Sequence, residues 1–218
     1  MTQQTARANL ARRLQGNPYP GRGIVVGRSD RGRWIQVYWI MGRSPNSRNR
    51  VFVLEGDTLR TEAADPSRVE DPSLIIYNAM RRLDQVFIVS NGAQTDSVYT
   101  GLAQGRSFVE ALADWAHEPD APNFTPRISA ALELDSGQVW VSIIKAAPGS
   151  SASEQHFCRY VQVPAGVGYA VTTYTGDGSP LPAFEGTPYL LPLEGGAADT
   201  AAAYWQPLDA AHPPPPSV

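Results

Sequence analysis

Eight consecutive residues, Arg43 to Arg50, contain three arginines and two asparagines. The guanidinium fork matches the oxygens of phosphate or carboxylate in a two-pronged way, and asparagine adds orientable donors and acceptors without charge. Arg43, Ser44, Arg48, Asn49 and Arg50 are therefore candidate anion ligands. Pro45 and the small residues around it predict a turn rather than a helix, so that these donors converge. An alternative for the same run is a subunit interface, where arginine is enriched.

Three further segments carry polar chemistry. Tyr77-Asn78 ends an apolar run with a phenol and an amide. Val89 to Asp96 combines an Asn91-Gly92 turn with small polar residues entering a helix, and amides at a helix start attract anions. His117 to Ile128 is a proline-held loop bearing Glu118, Asp120 and Arg127, which places a carboxylate within reach of arginine. Each segment also has a structural reading: strand packing for Tyr77, a capped turn for Asn91, a solvated acidic loop for Glu118.

The elements that must position these residues follow from periodicity. Strands are predicted at 23–27, 34–41, 51–54, 59–62, 74–80 and 85–89, the first two joined by the turn 29–32. Residues 34–41 are apolar or mixed on both faces, as expected of a strand covered on both sides. Helices are predicted at 95–104 and 107–115, the second opened by Ser107 three residues before Glu110. Strands return at 127–134, 139–146, 155–163 and 168–174. Strands, two helices, then strands again indicate an α+β fold rather than a doubly wound sheet. We expect an N-terminal arm over 1–20, one domain over 21–196, and an extended Ala/Pro-rich tail over 197–218 ending in four consecutive prolines.

Composition narrows the function. The chain has 218 residues and a formal charge of -3, so the basic cluster is local and general nucleic-acid binding is not expected. No apolar stretch of membrane-spanning length and no signal-peptide core is visible, which predicts a soluble cytoplasmic protein. The single cysteine, Cys158, excludes an intramolecular disulfide and reads as core. His117, His156 and His212 lack metal-ligand spacing, so no metal is expected.

Taken in order, Arg43-Ser44 with Asn49-Arg50, Tyr77-Asn78, Val89-Ser90-Asn91-Gly92 with Thr95-Asp96, Glu118, and Thr125-Pro126-Arg127-Ile128 resemble the archaeal-type IMP cyclohydrolases and their bacterial relatives, over about residues 20–175. The resemblance implies a four-layer αββα sandwich like that of the N-terminal nucleophile hydrolases, here without the nucleophile, because Thr2 lies well before the first strand. It implies closure of 5-formamidoimidazole-4-carboxamide ribotide to IMP without a cofactor. It also implies Tyr77 and Glu118 as catalytic groups and Arg50 with Asn49 as an anion or base-edge contact. Asn78, Asn91, Asp96 and Arg127 are implied as supporting residues. His117 stands where the family pattern has a phenol before the glutamate, which makes Asp120 the alternative to Glu118. Arg48 rests on charge and proximity alone. The partner implied is a small purine ribotide, with a homo-oligomer compatible. Hydrolysis of another amide or cyclic amidine on the same fold, or purine-nucleotide binding without catalysis, are the competing functions.

Overall fold

The computed structural model describes residues 2–69 and 71–211, without the side chains of 210 and 211. The chain is α+β, with two antiparallel sheets. The smaller is formed by β1 (Gly23–Arg28), β2 (Trp34–Trp39), β10 (Val167–Thr172) and β11 (Tyr189–Pro192), in the order β11-β10-β1-β2. The larger runs in sequence order through β3 (Arg50–Glu55), β4 (Thr58–Ala63), β5 (Asn78–Leu83), β6 (Val86–Ser90), β7 (Arg127–Glu133), β8 (Gln138–Ala146) and β9 (Ser153–Tyr160).

Side-chain alternation explains how the sheets stack. On β7, Ile128, Ala130 and Leu132 enter a core shared with Ile24 and Val26 of β1, whereas Ala131 points to the opposite face. That opposite face is closed by α3 (Gln94–Ala103) and α4 (Phe108–Leu112), which contribute Val98, Phe108 and Leu112 against Ile88 and Ile144. Ser107 caps α4 through the expected reciprocal pair with Glu110. The turn 29–32 between β1 and β2 also forms, with Ser29 and Gly32 bonded across it. Residues on both faces of β2 are at least half-buried. Cys158 is half-buried on β9.

Both ends differ from expectation. The segment expected as an arm is helical, as α1 (Thr2–Leu10) followed by a π-helical turn over Ala11–Gln15. Ala6, Leu10 and Leu14 recur every four residues, and Ala6 and Leu14 are completely buried. Three apolar residues spread among polar ones suffice for docking, although they are too sparse to stand out in the sequence. The expected extended tail is likewise largely helix, α5 (Ala197–Ala211). Its buried stripe is Thr200, Tyr204 and Leu208, and the Tyr204 ring stacks on Trp39 at 6.0 Å. The four prolines lie outside the described residues.

A third difference positions the site. The strand expected from residue 74 begins only at Asn78, because the Ile75 and Ile76 amides donate to the Pro72 carbonyl in a turn. Tyr77 sits between turn and strand, pinned by Thr61, whose hydroxyl accepts from the Tyr77 amide (2.9 Å) and whose amide donates to the Tyr77 carbonyl (2.9 Å). A register shift between Leu59 and Arg60 on β4 accompanies this arrangement.

Candidate functional site

Gly21 begins the site. Its φ is +70°, and a Cβ there would lie 2.2 Å from the Thr173 hydroxyl and 2.6 Å from the Tyr174 ring. At Gly23 a Cβ would lie 2.0 Å from the Trp39 ring. Only glycine fits either position, and Arg22 is held between them at the mouth of β1.

The Arg22 guanidinium reaches back to a buried carboxylate. Its Nη1 and Nη2 each donate to one oxygen of Glu118 at 2.9 Å, and Nη1 also donates to the Asn91 carbonyl at 3.0 Å. Glu118 is 2 % exposed. Its loop is fixed by its own amide donating to the Thr125 carbonyl. Arg127 Nη1 lies 3.9 Å from Glu118, with its Nε donating to the Ala116 carbonyl and its guanidinium over the Trp115 ring. Burial works to lower the Arg22 pKa, but the charge of Glu118, the Tyr77 and Tyr38 phenols and the hydrogen bond to Glu118 together hold it well above its ordinary value. Burial lowers that of Arg127, with Glu118 opposing. Two guanidiniums on one carboxylate leave the cluster with an excess positive charge.

Facing Arg22 is a pair of phenols. The Tyr77 and Tyr38 hydroxyls are 2.6 Å apart and both residues are buried. Burial, and then Tyr77, push the Tyr38 pKa well above the usual value, with Arg22 and Arg50 opposing.

Arg22 opens onto a cavity of ≈ 390 Å³ walled by Tyr19, Arg43, Arg50, Asp120 and Tyr174. Tyr19 stacks on Tyr174 at 5.7 Å and carries the Arg43 guanidinium over its ring. Burial raises the Tyr19 pKa, and the charges of Arg22, Arg43 and Arg50 counteract it. Arg43 also pairs with Asp177 (2.9 Å) near the surface. Arg50 donates through Nε to the Ser47 carbonyl, while its Nη1 is buried with no hydrogen-bond partner among the described residues. A charged donor in that position is poised for an anionic ligand. Asp120 accepts from the amide and the hydroxyl of Thr125, and that hydroxyl also bonds Tyr174. Burial pushes Tyr174 up to about 12.

The sequence candidates divide between cavity and scaffold. The arginine run is not a simple turn: Pro45–Arg48 forms a single helical turn, α2, with Ser44 as N-cap and Ser47 bonding back to Ser44. Coiling the run keeps Arg43, Ser44 and Arg50 at the cavity but sends Arg48 the other way. Arg48 donates to the Gly42 carbonyl and lines a separate apolar groove. Asn49 is turned inward, its amide donating to the Asp65 carbonyl and accepting from the Asp65 amide, each at 2.7 Å. Asn91 is fully buried, joining the Pro126 carbonyl, the Ile128 amide and Gln94. Asn78 and Arg81 both bond Asp96, in a cluster that brings α3 to β5. In this geometry Arg48, Asn49, Asn78, Asn91 and Asp96 shape the scaffold instead of the cavity wall.

Tyr19, Arg22, Tyr38 and Tyr174 stand at or behind the cavity without being sequence candidates. Arg22 is a lone cation outside the dense run, and its signal was the Gly21-Arg22-Gly23 context. In the sequence Tyr38 is one residue of a mixed strand face, and only pairing with Tyr77 distinguishes it.

Fold and site together define an α+β protein with a cationic, phenol-walled cavity of small-molecule size. No helix among the described residues is long and apolar enough to cross a membrane. The profile of the IMP cyclohydrolase-like protein family matches residues 19–213, and the chain belongs to that family. The matched span takes in α5, beyond the reach of the motif resemblance. The chain is 32% identical over 160 residues to an IMP cyclohydrolase of Methanopyrus kandleri, covering 72% of this chain and 75% of that one. It is 27% identical over 159 residues to an IMP cyclohydrolase of Methanocaldococcus jannaschii (72% and 73% covered). With that of Methanothrix thermoacetophila the identity is 28% over 173 residues (77% and 80% covered).

Proposed function

We propose that this protein is an IMP cyclohydrolase of de novo purine biosynthesis, closing 5-formamidoimidazole-4-carboxamide ribotide to IMP. The observation that carries this reading is the cavity itself: three arginines converge on an acidic chain, one with a buried, unpartnered donor, and a phenol pair stands behind them.

Ring closure needs orientation more than a nucleophile from the protein. The carboxamide nitrogen attacks the formyl carbon, forming a C–N bond, and the carbonyl π pair moves onto oxygen. The carboxamide nitrogen gives up one proton and the formamido nitrogen another, the oxygen takes up both and leaves as water, and a C=N bond between the former formyl carbon and the formamido nitrogen completes the ring. Holding the two groups in contact can remove about 7 kcal/mol or more of the barrier when alignment is ideal. Proton transfer by a positioned phenol contributes about 10²–10⁴-fold.

In this reading Arg43 and Arg50, with Ser44, hold the 5'-phosphate. Tyr77, behind the cavity wall, exchanges a proton with the formyl oxygen through one water, with Tyr38 as its hydrogen-bond partner. Glu118 has both oxygens engaged by Arg22, so its part is orientation. Asp120, on the cavity wall and held by Thr125 rather than by arginine, is the carboxylate that can take a further bond from the carboxamide. The reaction calls for no cofactor or metal. The reading takes the partner as a small purine ribotide rather than nucleic acid or membrane, places the enzyme in the cytoplasm, and allows a homo-oligomer. A four-layer αββα arrangement akin to the N-terminal nucleophile hydrolases belongs to the same proposal. It is supported by α3 and α4 on one face of the large sheet and by α1 beside β11.

The test is turnover. Purified protein supplied with the formylated ribotide should form IMP with no added metal or nucleotide. Folded protein that gives no IMP above the uncatalysed rate would contradict the assignment, and activity confined to other amides or cyclic amidines would move it to that class.

A further inference from the structure

We infer that Arg22 is a catalytic residue of the ring closure, stabilising the negative charge that develops on the formyl oxygen, and that Glu118 serves by positioning it. The inference rests on the cyclohydrolase reading and refines which groups perform it.

Access is the first consideration. Among Arg22, Glu118 and Tyr77, Arg22 alone forms part of the cavity wall; the carboxylate and the phenol lie behind it. Charge is the second. A carboxylate gripped at both oxygens by one guanidinium, with another 3.9 Å away, has little capacity left to remove a substrate proton. The same grip leaves the guanidinium plane fixed, and the excess positive charge of the cluster favours an anion in front of it. The attack step creates such an anion when the carbonyl π pair moves onto oxygen. A charged donor already held in place beside that oxygen needs no reorganisation as the charge appears.

Backbone geometry is the third. Gly21 and Gly23 fit only as glycine, against Tyr174 and Trp39 respectively, so the chain on both sides of Arg22 is locked to the aromatic wall. Salt-bridge stability alone does not require its guanidinium to form part of the cavity wall. The phenol pair adds a fourth consideration: Arg22 acts electrostatically on both Tyr38 and Tyr77. One cation therefore serves the oxyanion directly and the proton-transferring phenols through space.

The test compares wild type, Glu118→Gln, and the double variant Arg22→Gln with Glu118→Gln, which leaves no buried charge uncompensated between the two sites. Steady-state IMP formation gives kcat and KM, with folding checked by thermal melts. Glu118→Gln retains the cation and should lose no more than about tenfold in kcat; the double variant should lose about a further 10²-fold with KM changed little, the pattern of a group acting in the transition state. A folded double variant with the kcat of Glu118→Gln would overturn the inference. If the double variant does not fold, Arg22→Lys decides: a kcat at least about tenfold lower at unchanged KM supports the role, because lysine keeps the charge without the fork, and a wild-type kcat refutes it. Absence of turnover in the wild type would instead remove the cyclohydrolase reading and this inference with it.

Discussion

Two hollows lie on either side of Met41, and they differ in nearly every chemical respect. The cavity of ≈ 390 Å³ is walled by arginine, aspartate and tyrosine, while the groove of ≈ 580 Å³ is walled by Val37, Trp39, Phe52, Tyr204, Trp205 and Leu208. The larger hollow offers apolar contact but few groups that could orient a polar substrate. The smaller one gathers charged donors, an acceptor and phenols from distant parts of the chain. A site for chemistry is marked by convergent, supported polar groups more than by volume. The arginine run spans the boundary, with Arg43 and Arg50 on one side and Arg48 on the other.

Mutation separates the two hollows. The largest effect is expected at Tyr77, where Tyr77→Phe should lower kcat by about 10²–10⁴-fold, measured as single-turnover IMP formation. A rate near wild type would remove the phenol from the mechanism. Arg50→Ala should act on binding. Losing a charge-assisted hydrogen bond of about 1.5–3 kcal/mol would raise KM by about 10- to 150-fold, whereas Arg48→Ala on the groove side should leave KM within about twofold. Equal effects at the two arginines would erase the distinction between the hollows.

Smaller effects separate scaffold from site. Asn49→Ala should cost about 1–3 kcal/mol of stability in urea unfolding, because it removes both hydrogen bonds to the half-buried Asp65 backbone, while kcat of the folded fraction stays unchanged. A normal melt with a raised KM would return Asn49 to the ligand-binding set. Alkaline pH should weaken the fold on the cavity side. Burial raises Tyr38 and Tyr174, the latter to about 12, from an ordinary phenol value near 10. A phenol raised in the folded state stabilises it fully below the unfolded value and ceases to do so as pH rises through the folded one. Tm should therefore fall from about pH 10 upward, in step with the absorbance of ionising tyrosine; ionisation of every tyrosine near pH 10 without loss of Tm would contradict it. The least effect is expected at exposed Trp205 in the groove, where Trp205→Ser should leave turnover unaltered and stability within about 0.5 kcal/mol.

Much of the fold was legible because it obeys short-range rules. The long period-two runs that became β7 and β8, and the Ser107 capping box, each depend on residues close in sequence. The ends were less legible, since α1 with its π-helical turn and α5 declare themselves by only a few inward residues each. At the site, sequence order could show that arginine, phenol and carboxylate were present, but not which way the side chains turn. Asn49 and Asn91 look like ligands in a sequence and are brackets in the structure, because an asparagine can join two backbone segments as readily as it binds a substrate. Arg22 carries only a faint signal, its flanking glycines, because one ordinary arginine meets Glu118, 96 residues away in sequence, only once the chain has folded.

A crystal structure with IMP bound shows directly whether the ribotide sits in the polar cavity. The phosphate should lie between Arg43 and Arg50, with the ring carbon derived from the formyl group facing Arg22 and Tyr77. Nucleotide seated in the groove against Trp39 and Trp205, with the arginines of the cavity unengaged, would contradict it.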